Sequence, residues 1–471
     1  MMATPSSRVI FIAKILRIGL IAVILATVVP YGAVNPFWFH LAILLNGLVF
    51  ACTLAIPFRN MELLNVYRTA LVVVLLIGAY LALQSIRFSH SALASPIWDT
   101  VRDLLQTEGG AISVNPAGTI AAIPLLVHPF LIFMAALVLH QNNDLAIAFW
   151  RQLSLIGGGT AVFGLGQHFL FPHSLLLGEK LYYMDSVTGT FVNRNSAATL
   201  FGIAALLLAG VLARHFHELY VQRDHSHLAA QHERRKQQKF FLYHLGLFIL
   251  VLLALFLTKS RAGLISAFIP LLLIAAWFGY SLAPQTTSQR VRIGVAGSAM
   301  TILVLIFVIL GARSLFRIEQ SGTDDVRWCV FNSTIAAIMD NPWLGTGFGT
   351  FEQVFPAYRN PECGISGVWD RAHNFFLEGY LGMGLPFAAV VLCALVYLLS
   401  VFLIGYRTRR RFRIIPLIGM GTLLLSILHS MVDFSLQIPG VAAYVAATLG
   451  AAVAISLARK RSERDITVDL Q

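Results

Sequence analysis

The sequence predicts an all-α membrane protein, a polytopic bundle of about 12 transmembrane helices. Three observations carry that expectation. Of 471 residues, 57% are apolar and 12% charged, against roughly 25% charged in soluble domains. Mean hydropathy is +0.75, too apolar for a globule that must cover itself with polar surface. Finally, the apolar residues recur in blocks of spanning length along the whole chain, so the first block reads as a span and not as a cleaved signal.

The blocks fall at 15–31, 37–56, 66–83, 119–139, 149–171, 196–213, 240–257, 263–280, 293–310, 376–404, 414–429 and 438–457. Gly, Gln and Ser interrupt the fifth and the eleventh. Residues 1–471 thus form a single transmembrane domain. The net charge of +12 would suggest nucleic acid in a soluble protein, but here the charges lie between spans, where they set orientation. With both termini cytoplasmic, 23 of the 34 Lys and Arg fall inside, including "RTRRRFR" at 407–413, as the positive-inside rule requires. The opposite orientation would put the densest basic clusters on the wrong face. Residues 214–239 become a cytoplasmic basic connector. Its His215, His217, His225, His227 and His232 lack the Cys or paired carboxylates of a metal site, so no metal is expected.

The outside segments are 84–118, 172–195, 258–262 and 311–375. The last is the largest, and helices lying against the bundle are expected in it. One starts near Asp324, a candidate cap, shows Trp328, Phe331, Ile335 and Ile338 as an apolar stripe, and ends at Pro342. Arg327 in its first turn would add directed donors to the anion-attracting helix start, unless Asp324 or Asp325 pairs with it. Gly345, Gly347 and Gly349 suggest a tight re-entrant bend; without a following Lys-Ser/Thr pair they do not make a nucleotide loop.

Lys259 and Arg261 occupy a short outside turn where positive charge is sparse. They are either snorkelling anchors or a fixed grip on an anionic headgroup such as a pyrophosphate. His373 stands just before the tenth span with Asp370, Arg371, Asn374 and Glu378 close by. A neutral imidazole there is suited to act as general base on a hydroxyl, although a satisfied interface histidine is the alternative. His429 and Asp433 sit in another outside connection, able to line the same cavity or to bond helix ends. Cys329 and Cys363 share the large outside segment, where an oxidising compartment would permit a disulfide; Cys52 and Cys393 read as packing residues within spans.

Taken together, "TKSRAG" at 258–263, Arg327 followed by "NPWLGTGFGTF" at 341–351, "AHNFFLEGYLGMG" at 372–384, "HSMVDF" at 429–434 and "GTFVNRNSAA" at 189–198 resemble the O-antigen ligase and polymerase superfamily of bacterial membrane glycan enzymes. The resemblance spans about 190–440. It implies an inverting, metal-independent transfer, without cofactor, from an undecaprenyl-diphosphate-linked glycan to an acceptor hydroxyl at the periplasmic face of the inner membrane. His373 would then be the base, Arg261 and Arg327 the diphosphate-binding pair, and Arg194 a further member. Residues 311–375 would be the periplasmic segment carrying catalytic elements. Ligation to lipid A–core is the first reading, with polymerisation of O-antigen or exopolysaccharide beside it. The competing class is a transporter or flippase, whose key residues should lie near mid-span.

Overall fold

A computed structural model describes residues 7–58, 60–89, 93–106, 108–176, 178–220, 228–282, 287–315, 323–363 and 367–458. The twelve apolar blocks are all helical. They correspond to α1 (Ser7–Val28), α2 (Pro36–Thr53), α3 (Met61–Ser85), α5 (Pro116–Leu139), α6 (Asn143–Leu170), α7 (Arg194–Tyr220), α8 (Leu228–Leu257), α9 (Arg261–Leu282), α10 (Gln289–Leu315), the pair α13 (Phe375–Met383) and α14 (Leu385–Thr408), α15 (Ile414–Ser430) and α16 (Pro439–Leu457). The segments between the apolar blocks add α4 (Ile97–Leu105), α11 (Thr323–Asp340), α12 (Phe351–Tyr358) and a two-stranded hairpin, 174–175 with 178–179. The chain is a multi-pass helical membrane protein. Among the described residues nine helices are long and apolar enough to cross a bilayer; α6 and α10 are not among the nine, and α15 is apolar but shorter.

Local chemistry explains the boundaries. Asn35, Asn60, Asn115 and Asn142 cap α2, α3, α5 and α6, each accepting a backbone N–H of the first turn, one of the donors a helix start leaves open. The tenth block, expected as one span, is broken. Gly384 at φ +64° ends α13 and starts α14, and a Cβ there would sit 2.4 Å from the Trp343 carbonyl oxygen, so neither a helical backbone nor a side chain fits.

At the centre lie α7 and α16, buried over 83% and 89% of their most apolar windows. Alanine, glycine and serine dominate α16, and its Gly450 would bring a Cβ to 2.8 Å from the Phe133 carbonyl of α5. Small residues allow such approach where lipid removes the hydrophobic drive between helices. Cys52 and Cys393 are exposed. They face outward and do not pack inside, because an apolar residue in a span has no need to turn from lipid.

The connections gather at two ends. At one, Thr190 Oγ1 donates to Val28 O (2.8 Å), Val187 N to Leu257 O (2.8 Å), Val114 N to Thr346 O (2.9 Å) and Asn374 Nδ2 to Met431 O (2.7 Å). At the other, Gln141 Nε2 donates to Pro57 O (3.1 Å), and Arg409 to Ala458 O and Asn143 Oδ1, both 2.7 Å. These are the segments that charge sorts to opposite faces. The connector's His225 and His227, the side chains of His217 and His232, those of Asp324 and Asp325, and the basic residues 459–464 lie outside the described residues.

The segment after α10 has a core of its own: Val330, Ala337, Phe351, Val354, Phe355, Ala372 and Leu381. The face of α11 differs from the expected stripe. Phe331 is buried with Val330, Thr334 and Ala337, whereas Trp328 and Ile335 are 63% and 44% exposed. Cys329 and Cys363 are joined by a disulfide, S–S 2.06 Å, on the edge of this core. The glycine loop is the tight bend expected: Gly345, Gly347 and Gly349 all have positive φ, and a Cβ on Gly347 would meet Ser113 Oγ at 2.2 Å.

Candidate active site

Two helices begin at the first of the two ends where connections gather, each with an arginine as first residue: α7 with Arg194 and α9 with Arg261. Asn195 locks them together. It receives a hydrogen bond on Oδ1 from Ser260 Oγ (2.8 Å) and donates from Nδ2 to Asp433 Oδ1 (2.7 Å). Ser435 Oγ donates to the other oxygen of Asp433. Both carboxylate oxygens of this buried residue are thereby held by neutral donors, which fix the orientation of Asp433. On the next turn of α7, Thr199 Oγ1 stands 2.6 Å from His429 Nδ1.

His373 comes to this cluster from the loop before α13. Its backbone is left-handed, φ +53°, a conformation that costs a non-glycine residue about 1–3 kcal/mol and persists where surroundings enforce it. The enforcement is visible. Arg371 pairs with buried Glu378 (3.1 Å), which also accepts from Ala372 N (2.8 Å). Asn374 accepts from Phe376 N and Leu377 N at the start of α13 and donates to Met431 O. Arg371, Glu378 and Asn374 therefore shape the loop, Asn374 as the cap of α13.

The imidazole lies edge-on to Phe434, centroids 4.9 Å apart, and to Trp369, 5.6 Å. Its Nδ1 is buried without a hydrogen-bond partner. Burial is the main influence lowering its pKa, Asp433 and Asp370 oppose, and Arg327 adds to the lowering. Burial and Arg327 act in the same direction, burial the more strongly. The ring is thereby held neutral, able to accept a proton at ordinary pH. Arg327 reaches His373 and His429 electrostatically, although α11 starts at Thr323 and puts Arg327 beyond the first turn, so its guanidinium and not the helix start is what it offers. Lys259 is committed to Asp185, 2.6 Å away, and anchors the preceding loop. Arg194 stacks on Tyr183 at 5.1 Å.

The structure thus brings Arg327, Asp370, His373, His429 and Asp433 together, with Arg194 and Arg261 tied in through Asn195 and Ser260. Sequence reasoning missed Asn195, Ser260, Thr199 and Ser435. The only signal was small polar residues beside the arginines within "NRNSAA" and "TKSRAG".

A neutral histidine, a carboxylate held by two hydrogen bonds and several arginines thus gather at one end of the membrane bundle. Residues 246–392 match the family model described as O-antigen ligase. That match supports membership of the O-antigen ligase and polymerase superfamily and, with it, glycan transfer of that general type. It covers Arg261, Arg327 and His373 and leaves Arg194, His429 and Asp433 outside. No curated protein matches the chain.

Asp433 favours the protonated form of His373. Asp433→Asn should therefore lower the imidazole pKa further, and the acid limb of kcat/KM should move to lower pH while the maximal rate falls about tenfold, the equivalent of ~1.4 kcal/mol of transition-state stabilisation. A pH–rate profile measures both, and a limb that does not move would uncouple the two residues.

Proposed function

We propose that this protein transfers a glycan from an undecaprenyl-diphosphate carrier to an acceptor hydroxyl at the periplasmic face of the bacterial inner membrane. Both termini are cytoplasmic, and lipid A–core is the first-choice acceptor. The observation that carries the proposal is His373, buried on one side and neutral, within electrostatic reach of Arg327 and Asp433. In the reaction the acceptor oxygen attacks the anomeric carbon from the face opposite the diphosphate, inverting it. His373 takes the hydroxyl proton, the carbon–oxygen bond to the carrier breaks, and the diphosphate leaves with the electron pair. Arg327 and Arg261, with Arg194 beside them, neutralise the growing negative charge, the part a metal would otherwise play. Asp433, held by Asn195 and Ser435, favours the imidazolium formed.

Chain extension of O-antigen or exopolysaccharide uses the same steps with a lipid-linked glycan as acceptor. Purified protein in liposomes, given lipid-linked donor with and without lipid A–core, separates the readings. Glycan on lipid A–core identifies the ligase, longer lipid-linked chains from donor alone identify the polymerase, and neither product rejects the proposal. For orientation, cysteines introduced at exposed Val368 and Thr408, with Cys52 and Cys393 replaced, should label from outside and inside respectively. Equal labelling of both from outside would reject the scheme.

A further inference from the structure

Arginines that shape this fold spend N–H donors on it: Arg371 donates to Glu378, Arg359 to Gly367 O, and Arg409 to Ala458 O and Asn143 Oδ1. Arg194 is held differently. Its guanidinium lies over the Tyr183 ring, 5.1 Å from the centroid, and among the described residues it makes no hydrogen bond or ion pair. Attraction to a ring face leaves every N–H donor of an arginine unspent. The ring comes from a short turn fixed at both ends. The ammonium of Lys180, a residue only 2% exposed, donates to Ser186 O (2.6 Å), and Ser186 N donates to Tyr183 O (3.0 Å). Beyond them Val187 N donates to Leu257 O (2.8 Å) and Lys259 Nζ to Asp185 Oδ2 (2.6 Å), so the link between α8 and α9 clamps the turn that leads into α7. Leu181 and Tyr182 stand out at 70% and 64% exposure, whereas Tyr183 turns onto Arg194 with left-handed backbone, φ +55°. A bulky residue keeps that strained conformation where its surroundings over-determine it, and functional sites are where such strain collects.

We infer that Tyr183 positions Arg194 for the carrier diphosphate, and that the Lys259–Asp185 pair fixes the turn that carries the ring. The inference rests on the proposed reading of Arg194 as a diphosphate-binding arginine. A long side chain free in water loses rotamer freedom when it grips an anion, and holding it beforehand reduces that loss. A hydrogen-bonded clamp would consume the donors needed for two diphosphate oxygens; a ring face holds the cation and leaves the planar fork open. Arg194 also directly precedes Asn195, which donates to Asp433 (2.7 Å), so a guanidinium fixed by Tyr183 is fixed relative to the carboxylate that acts on His373.

Tyr183→Leu removes the ring face, and Tyr183→Asn does so with a residue that tolerates left-handed backbone, in case the leucine variant does not fold. Binding of undecaprenyl diphosphate to the full-length protein in detergent should weaken about twofold to fivefold in either variant, the size of one cation–π contact at a half-exposed site. In transfer the same factor should appear in KM for the donor, with kcat little changed. Tyr183→Phe, which keeps the ring, should bind as the wild type does. On an Arg194→Gln background, itself weaker in binding, the Tyr183 variants should have no further effect. Wild-type affinity in the folded Leu or Asn variant, loss in the Phe variant, or an undiminished second loss on the Arg194→Gln background would each overturn the inference while leaving the proposed transfer intact. Absence of any binding of undecaprenyl diphosphate by the wild type would instead reject the diphosphate reading, and the inference with it.

Discussion

His373→Gln should lose transfer by about 10²–10⁴-fold while donor binding is preserved, because removal of a general base costs that much and the arginines remain. Glutamine is close in size and keeps a hydrogen-bonding group, so a histidine needed only to fill the space between Trp369 and Phe434 would be replaced with little loss. His373→Asn is the companion variant, since asparagine tolerates the left-handed backbone at φ +53° better than most residues. It separates loss of the ring from strain at the position. Single-turnover transfer and donor binding are the paired measurements, run with excess chelator in wild type and variants. Near-native turnover by the Gln variant would remove His373 from the chemistry. Loss of wild-type transfer to chelator, restored by Mg²⁺ or Mn²⁺, would replace arginine by metal in charge neutralisation.

Spans were legible in this sequence because lipid imposes one requirement on every crossing segment, a run of apolar residues long enough to satisfy its backbone internally. Which face of a span is buried was not legible. In water an apolar stripe marks the buried side, but beside lipid both sides are apolar, and close packing selects small residues, as α16 shows. On α11 the stripe held in part: Phe331 is buried and Ile338 packs on the segment's core, whereas Trp328 and Ile335 stand outward and Thr334 and Ala337 face in. A mid-span polar contact also escaped: Asn46 Nδ2 lies 3.0 Å from His128 Nδ1, between α2 and α5.

The site divided along similar lines. Arginines and histidines beside the apolar blocks stood out because charge there is scarce, and the order of their motifs carried the family resemblance. The residues that align them did not stand out. Asn195 meets Ser260 across 65 positions and Asp433 across 238, and nothing in a single sequence encodes such pairings. The break at Gly384 was hidden for another reason: a glycine in an apolar run looks like any other until its carbonyl neighbour is known.

Arg261→Ala and Arg327→Ala should each lower transfer by about 10²–10³-fold with insertion unchanged, the scale for deleting one donor to charge that develops in a transition state. Lysine should rescue only partly, since an ammonium cannot present the planar fork that grips two diphosphate oxygens. The two positions should differ in pH dependence. Arg327 acts to lower the pKa of His373, so its removal should raise that pKa and move the acid limb of kcat/KM to higher pH, opposite to Asp433→Asn. Arg261, tied to the cluster through Ser260 and Asn195, is not among the groups that shift His373; its loss should weaken donor binding and leave the limb in place. Full activity in both alanine variants would reject the diphosphate assignment. Activity retained by Arg327→Ala alone, with the limb still shifted upward, would make Arg327 an electrostatic neighbour of the base and leave Arg261 as the grip on the donor.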